Sequence, residues 1–263
     1  MILEDNLNKR VNREFHSHTS SDVLSTSYRI KNLFKHIWQY PSKKSLNAAV
    51  EPYLNTVNGK SVLDYGCGRG RSSLDLLSRG ANVCGIDISP VYISEANQAA
   101  KQKGYPDNQY SFREMDAHRL KIGDNTFDMV LGEGILHHLN ISAALTEIHR
   151  VLKTGGRLIM IEPLADNPLL KLFRLLTPFA RTADEAPLSK KDLISIVDSN
   201  PWNYEFKYCG IIEAPIAMLT SILMPNTPNN WLLKCSDLIE KWIHKHGVLA
   251  SWNQYVLLNF VKR

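Results

Sequence analysis

Three carboxylates and one glycine-rich turn carry the chemistry most readily read from this chain. In Val62-Leu63-Asp64-Tyr65-Gly66-Cys67-Gly68-Arg69-Gly70, an apolar run leads into a turn with glycine at every second position. Without Cβ atoms, such a backbone adopts positive φ and lets a ligand approach closely. A helix opening directly after the turn would present free N–H groups to a negatively charged group. The dinucleotide fingerprint G-x-G-x-x-G would need glycine at position 71, which is Arg71, so a nicotinamide site loses its best support.

Asp87 ends the next apolar run, 23 positions after Asp64. A carboxylate there can accept hydrogen bonds from both hydroxyls of a ribose at the carboxyl edge of a doubly wound sheet. Asp116 follows the third run and can accept from an exocyclic amine such as that of adenine. Singly, each aspartate would serve as a helix cap or turn residue. Jointly, with the glycine turn, they describe a site for an adenosine without a pyrophosphate.

These residues need a sheet to align them. Short β-branched runs alternate with longer helical stretches from Ser61 onward, the pattern of βαβ units around a parallel sheet. Strands are expected at 62–64, 82–87, 110–113, 127–132 and 157–161. Helices are expected at 71–79, from Pro90 to about Lys103 with Ser89 as cap, and at 141–152. Lys153-Thr154-Gly155-Gly156 reads as the turn between the last helix and strand. Tyr204, Phe206 and Tyr208 alternate with polar residues, and 255–261 is apolar. These two are expected as final strands, antiparallel at one edge. Residues 1–60 read as an N-terminal helical lid, 61–163 as the cofactor-binding α/β core, and 164–263 as the rest of the same domain with insertions on the substrate side.

Composition bounds the alternatives. The 263 residues hold 44% hydrophobic and 22% charged side chains, enough for a core without disulfide or metal. The net charge of +5 is too small and too dispersed for a nucleic-acid footprint. Cys67, Cys84, Cys209 and Cys235 form no C-x-x-C pair, so no metal site or disulfide framework is expected, and reduced thiols suit a cytoplasmic protein. No basic-then-apolar leader is visible at the start, and the apolar run 211–224 is interrupted by Glu213 and Pro215 and is too short to span a bilayer.

The set resembles the class I S-adenosylmethionine-dependent methyltransferases of small-molecule, bacterial type. The resemblance runs through 62–70, Gly85-Ile86-Asp87-Ile88-Ser89, Met115-Asp116-Ala117, Phe127-Asp128-Met129-Val130 to Leu136-His137-His138-Leu139, and Arg150 to Leu158. It implies a doubly wound, seven-stranded, mostly parallel sheet of Rossmann-like form, with S-adenosyl-L-methionine as cofactor. By that similarity Asp64 and Gly66, in the turn with Cys67 and Gly68, would hold the methionine part, Asp87 the ribose, Ile88 the adenine face, and Asp116 with Ala117 the adenine edge. Glu133 would stand beside the sulfonium.

Methyl transfer by in-line displacement needs mainly positioning, and a base only where the acceptor must lose a proton. His137 is the first candidate for that base, with Glu162 after the fifth strand and His16 at the N-terminus as further candidates. Tyr28 and Tyr40 are candidates to line the acceptor pocket, and Arg174 and Arg181 to clamp an acceptor carboxylate or phosphate. The apolar insertion 215–250 is expected to be buried in the fold, with a dimer face or membrane contact as lesser readings. The expected activity is methyl transfer to O, N or C of a small molecule by a monomer or homodimer. The alternatives are an enzyme that cyclises or cleaves the cofactor itself, and a cofactor-binding protein without catalysis. Nucleic-acid methylation is disfavoured, because Gly132-Glu133-Gly134-Ile135 replaces the Asn-Pro-Pro-Tyr type of sequence.

Overall fold

The computed structural model describes residues 32–176, 186–198, 201–247 and 252–263. Seven strands form one sheet in the order β3-β2-β1-β4-β5-β7-β6. They are β1 (Ser61–Tyr65), β2 (Asn82–Asp87), β3 (Tyr110–Glu114), β4 (Phe127–Glu133), β5 (Leu152–Pro163), β6 (Trp202–Cys209) and β7 (Tyr255–Lys262). The first five run parallel, and β7 is antiparallel to both β5 and β6.

The connections β1–β2, β2–β3 and β4–β5 are helical, while β3 reaches β4 through a loop. Helices α1 (Pro41–Ala48) and α2 (Glu51–Leu54) precede β1; α3 (Arg71–Ser78), α4 (Pro90–Gln102) and α5 (Ile141–Val151) connect the parallel strands; α6 (Pro168–Leu176), α7 (Lys190–Asp198), α8 (Glu213–Leu223) and α9 (Trp231–His246) follow. Local chemistry starts several of them. Ser89 Oγ accepts from Tyr92 N with Pro90 at the first helical position, and Asn140 Oδ1 accepts from Ala143 N.

β1 is paired along both edges, with β2 and β4, and apolar clusters cover both its faces. Val62 joins the core under α3 and α4 with Leu76, Val83 and Ala96, and its neighbour Leu63 joins the opposite core with Ile86, Leu145 and Ile148. That alternation explains the unbroken apolar character of the strand.

One boundary differs from expectation. Residues 153–156 are not a free-standing turn; β5 begins at Leu152, immediately after α5. Phe127 pairs with Leu152 and Met129 with Arg157, so the intervening residues of β5 bulge from the ladder. Gly155, at φ +75°, supplies the left-handed residue this requires.

The insertion 215–250 is also less buried than expected. α8 and α9 pack against each other and bury Ala217, Leu233 and Ile243, while Leu219, Ile222, Leu223, Trp231, Leu238, Ile239 and Trp242 remain exposed. A helix pair supported along one face leaves its other apolar residues outward. Among the described residues no helix is long and apolar enough to cross a membrane.

Candidate functional site

The parallel strands present their carboxyl ends at one edge, and strand order reverses between β1 and β4, the switch point where ligands of open α/β sheets bind. At this edge the glycine turn, Asp87, Asp116 and residues 133–137 come together.

Gly66, Gly68 and Gly70 have φ of +77°, +51° and +80°. Gly66 and Gly70 also answer a packing need: a Cβ on Gly66 would stand 2.8 Å from the Ile135 side chain, and one on Gly70 2.9 Å from Ala96 Cβ. A Cβ on Gly68 would meet nothing within 4 Å, so at Gly68 the turn borders open space. The turn spends its donors internally. Gly66 N and Cys67 N both donate to the Ile86 carbonyl, Gly68 N to Asp87 Oδ2, and Gly70 N to the Cys67 carbonyl. Recognition there falls to carboxylates, which suits a ligand without a pyrophosphate.

Asp64 is buried and accepts from Ser73 Oγ of α3 at 2.5 Å. Burial pushes its carboxyl up to about 6, against the opposing pull of the Ser73 hydrogen bonds. Asp87 is half-buried; its oxygens accept from Gly68 N and Ser89 N, both at 2.9 Å, which aims the carboxylate and leaves further lone pairs for a diol. Asp116 Oδ1 accepts from His118 N and His118 Nδ1, and the His118 hydrogen bonds hold the carboxyl below its usual range even though burial opposes them. Oδ2 of Asp116 takes no hydrogen bond among the described residues. His118, missed by sequence reasoning, also accepts from Asn140 N through Nε2, tying β3 to the start of α5. The Ala117 carbonyl accepts from Tyr65 OH, and Ile88 is half-buried beside Asp87.

Cys67 offers less than expected. Its thiol is buried toward Gly85, contacts the Gly68 carbonyl, and is pushed upward by burial, so the side chain packs the turn.

Past β4, Glu162 corrects the reading of it as a catalytic group. Fully buried at the end of β5, it accepts from Ile135 N and Leu136 N at 2.9 Å, His137 N at 3.4 Å and His137 Nδ1 at 2.8 Å. Its work is to hold the 3-10 turn Leu136–His138 and orient His137. Donation from Nδ1 to Glu162 puts the lone pair of the neutral ring on Nε2.

Tyr40 does not line an open pocket. It is wholly buried, its hydroxyl donating to Gln254 Oε1 and touching Cys209 Sγ, because Phe34, Ile37 and Tyr40 pack into the core. Arg174 is likewise committed: its guanidinium donates to the Leu164 and Ala165 carbonyls and pins the chain leaving β5. His16, Tyr28 and Arg181 lie outside the described residues.

A further residue belongs to this edge. Lys43 of α1 is almost fully buried, with Nζ 3.7 Å from Glu133 Oε1 and 4.1 Å from the ring centroid of Tyr255 at the start of β7. Glu133 itself is largely exposed. A lysine in the polar sequence Pro41-Ser42-Lys43-Lys44 reads as solvent-facing, and only the packing of α1 against α9 and β6 buries it.

Residues 63–160 match the family model of the methyltransferase domain. The chain is 33% identical over 141 residues to O-methyltransferase cnsE of Penicillium expansum, covering 50% of this chain and 51% of that protein. It is 31% identical over 131 residues to the S-adenosyl-L-methionine-dependent Diels-Alderase iccD of Talaromyces variabilis, covering 47% and 44%. Among solved structures it resembles geranyl diphosphate C-methyltransferase from Streptomyces coelicolor A3(2), with a TM-score of 0.60 at 14% identity, over 84% of this chain and 78% of that one. The chain spans about half the length of the curated relatives it matches. Its segment 63–160 is a class I methyltransferase domain, the class that uses S-adenosylmethionine.

Proposed function

We propose that the chain transfers a methyl group from S-adenosylmethionine to a small-molecule acceptor. The observation that supports this most is the strand-end constellation: a glycine turn opening at Gly68, with Asp87 and Asp116 at the two successive strand ends beside it. The residues suit the cofactor. Asp87 would accept from the ribose hydroxyls, Ile88 would cover one adenine face, and Asp116 Oδ2 with the Ala117 backbone would meet the adenine edge. Asp64 and Gly66 would lie under the methionine part, with Glu133 beside the sulfonium.

When bound, the cofactor supplies an electrophilic methyl carbon. The chain's own contribution is to hold an acceptor atom in line with it and to exclude competing water. His137, oriented by Glu162, would take the acceptor's proton at Nε2 where the acceptor is a hydroxyl or carbon acid. Glu162 acts only through that histidine.

A second reading has one observation in its favour, the similarity to a relative named a Diels-Alderase. In that reading the cofactor would remain intact while a bound polyene closes a ring. Incubating the chain with S-adenosylmethionine and a cell extract, followed by mass spectrometry, separates the two. Methyl transfer yields S-adenosylhomocysteine together with a product heavier by one methylene. Ring closure consumes no cofactor, and methylthioadenosine would point instead to breakdown of the cofactor itself.

A further inference from the structure

Two half-buried cations of this protein are saturated with acceptors. The Arg150 guanidinium donates to Glu147, Asp124 and the Leu120 and Ile122 carbonyls, and Lys262 Nζ donates to Asn125 Oδ1 and the His149 and Leu152 carbonyls. Lys43 differs. Its Nζ is sealed from solvent and makes no hydrogen bond among the described residues. The Glu133 carboxylate at 3.7 Å is beyond hydrogen-bonding range, and the Tyr255 ring offers only its face.

An ammonium with three unused donors is costly to bury, and a merely structural lysine would have acquired an oxygen partner. Its position is specific. Glu133 ends β4, Glu162 lies near enough to act on the Lys43 charge, and Tyr255 pairs with Pro163 where β5 ends and β7 begins. Lys43 therefore stands at the same sheet edge as His137, on the side away from Asp87 and Asp116. Burial pulls its ammonium below the ordinary lysine value, while Glu133 opposes that pull.

We infer that Lys43 is a specificity residue whose Nζ donates to an anionic oxygen of the acceptor, so that the small molecule taken at this edge is an acid: a carboxylate, a phosphate or an ionised enol or phenol. The inference deepens the proposed methyl transfer and rests on that reading for the word acceptor. Glu133, exposed and only loosely paired, is the counter-charge that an incoming anion would displace.

The test uses the full chain, with and without S-adenosylhomocysteine, and three probes: benzoate, phenyl phosphate and 4-nitrophenol, each against a neutral analogue (benzamide for the first two, 4-nitroanisole for the third). Saturable binding of an anion in preference to its neutral analogue is expected. Absorbance of bound 4-nitrophenol should show its ionisation shifted downward by roughly one to two pH units, a 10- to 100-fold preference for the anion. Lys43→Met should abolish the preference, and Lys43→Arg should retain most of it. Lys43→Met should also raise the thermal midpoint, whereas a structural ion pair would make the same substitution lower it. Equal anion binding by wild type and Lys43→Met, no preference for anions in the wild type, or a lowered midpoint overturns the inference. Failure of S-adenosylhomocysteine to bind strikes the cofactor reading instead, and the arm without it still decides Lys43.

Discussion

The two halves of the strand-end cleft are built differently. On the side of β1, β2 and β3, the three carboxylates are held mostly from within their own or the adjoining βα unit: Asp64 by Ser73, Asp87 by Ser89 and by Gly68 of the preceding turn, Asp116 by His118. On the side of β4, β5 and β7, the buried groups reach across the chain. Glu162 holds the turn at 135–137, Ser42 donates through N and Oγ to Glu213 Oε2, Tyr40 donates to Gln254, and Glu240 accepts from the four backbone N–H groups of Gly210 to Glu213. The first half is a recognition surface made by local turns. The second is a load of buried carboxylates whose partners arrive only when the fold closes. Damage to the first should therefore be read in affinity, and damage to the second in stability.

Glu162→Ala should break that comparison most severely. It leaves the N–H groups of 135–137 and the His137 ring without their acceptor, and a loss of about 3–5 kcal/mol is expected in urea unfolding. Glu162→Gln should recover part of it. A small effect of Glu162→Ala would show that the turn does not depend on that carboxyl.

Asp64 sharpens the contrast through pH. Its folded value of about 6 stands above the ordinary aspartate value of 3.8, so the folded state binds the proton more tightly. The resulting stabilisation is fully present below pH 3.8 and is lost as pH rises through about 6, amounting to about 3 kcal/mol. Glu213, pushed up to about 7 by burial, acts in the same sense at higher pH. The difference between wild type and Asp64→Asn in urea midpoints from pH 4 to 7 isolates the Asp64 part. Parallel curves would remove it.

Asp87→Ala should weaken S-adenosylmethionine binding by about 1–3 kcal/mol in calorimetry and cost about 1 kcal/mol of stability, because Gly68 N and Ser89 N lose their acceptor. Unchanged affinity would take Asp87 out of the site. The smallest effect is expected from Asn140→Ala, which removes the cap on Ala143 N at the start of α5. About 1 kcal/mol of stability should be lost, visible in thermal unfolding, with cofactor affinity intact.

The contrast also explains what could be read from the chain before folding. The glycine turn, the capped start of α4 and the spacing of Asp64, Asp87 and Asp116 are short-range signals. Residues within a turn or a βα unit determine them, so they were legible along with the mostly parallel sheet they serve. Tyr40 and Arg174 were assigned to substrate because aromatic and guanidinium groups suit that task, yet the structure commits them to Gln254 and to backbone carbonyls. Lys43 carried no signal at all: nothing in Pro41-Ser42-Lys43-Lys44 says which lysine is buried.

By itself the order of residues determined the alternation of strands and helices, the conformation of the Gly66–Gly70 turn and the aspartate at each of three strand ends, because those depend on interactions within a turn or a βα unit. Tertiary structure alone decided that Glu162 orients His137, that Tyr40 is sealed and that an ammonium is enclosed beside Glu133. Burial and long-range pairing set the energy of a charged group, and neither exists until α1, α8, α9 and β7 have closed against the sheet.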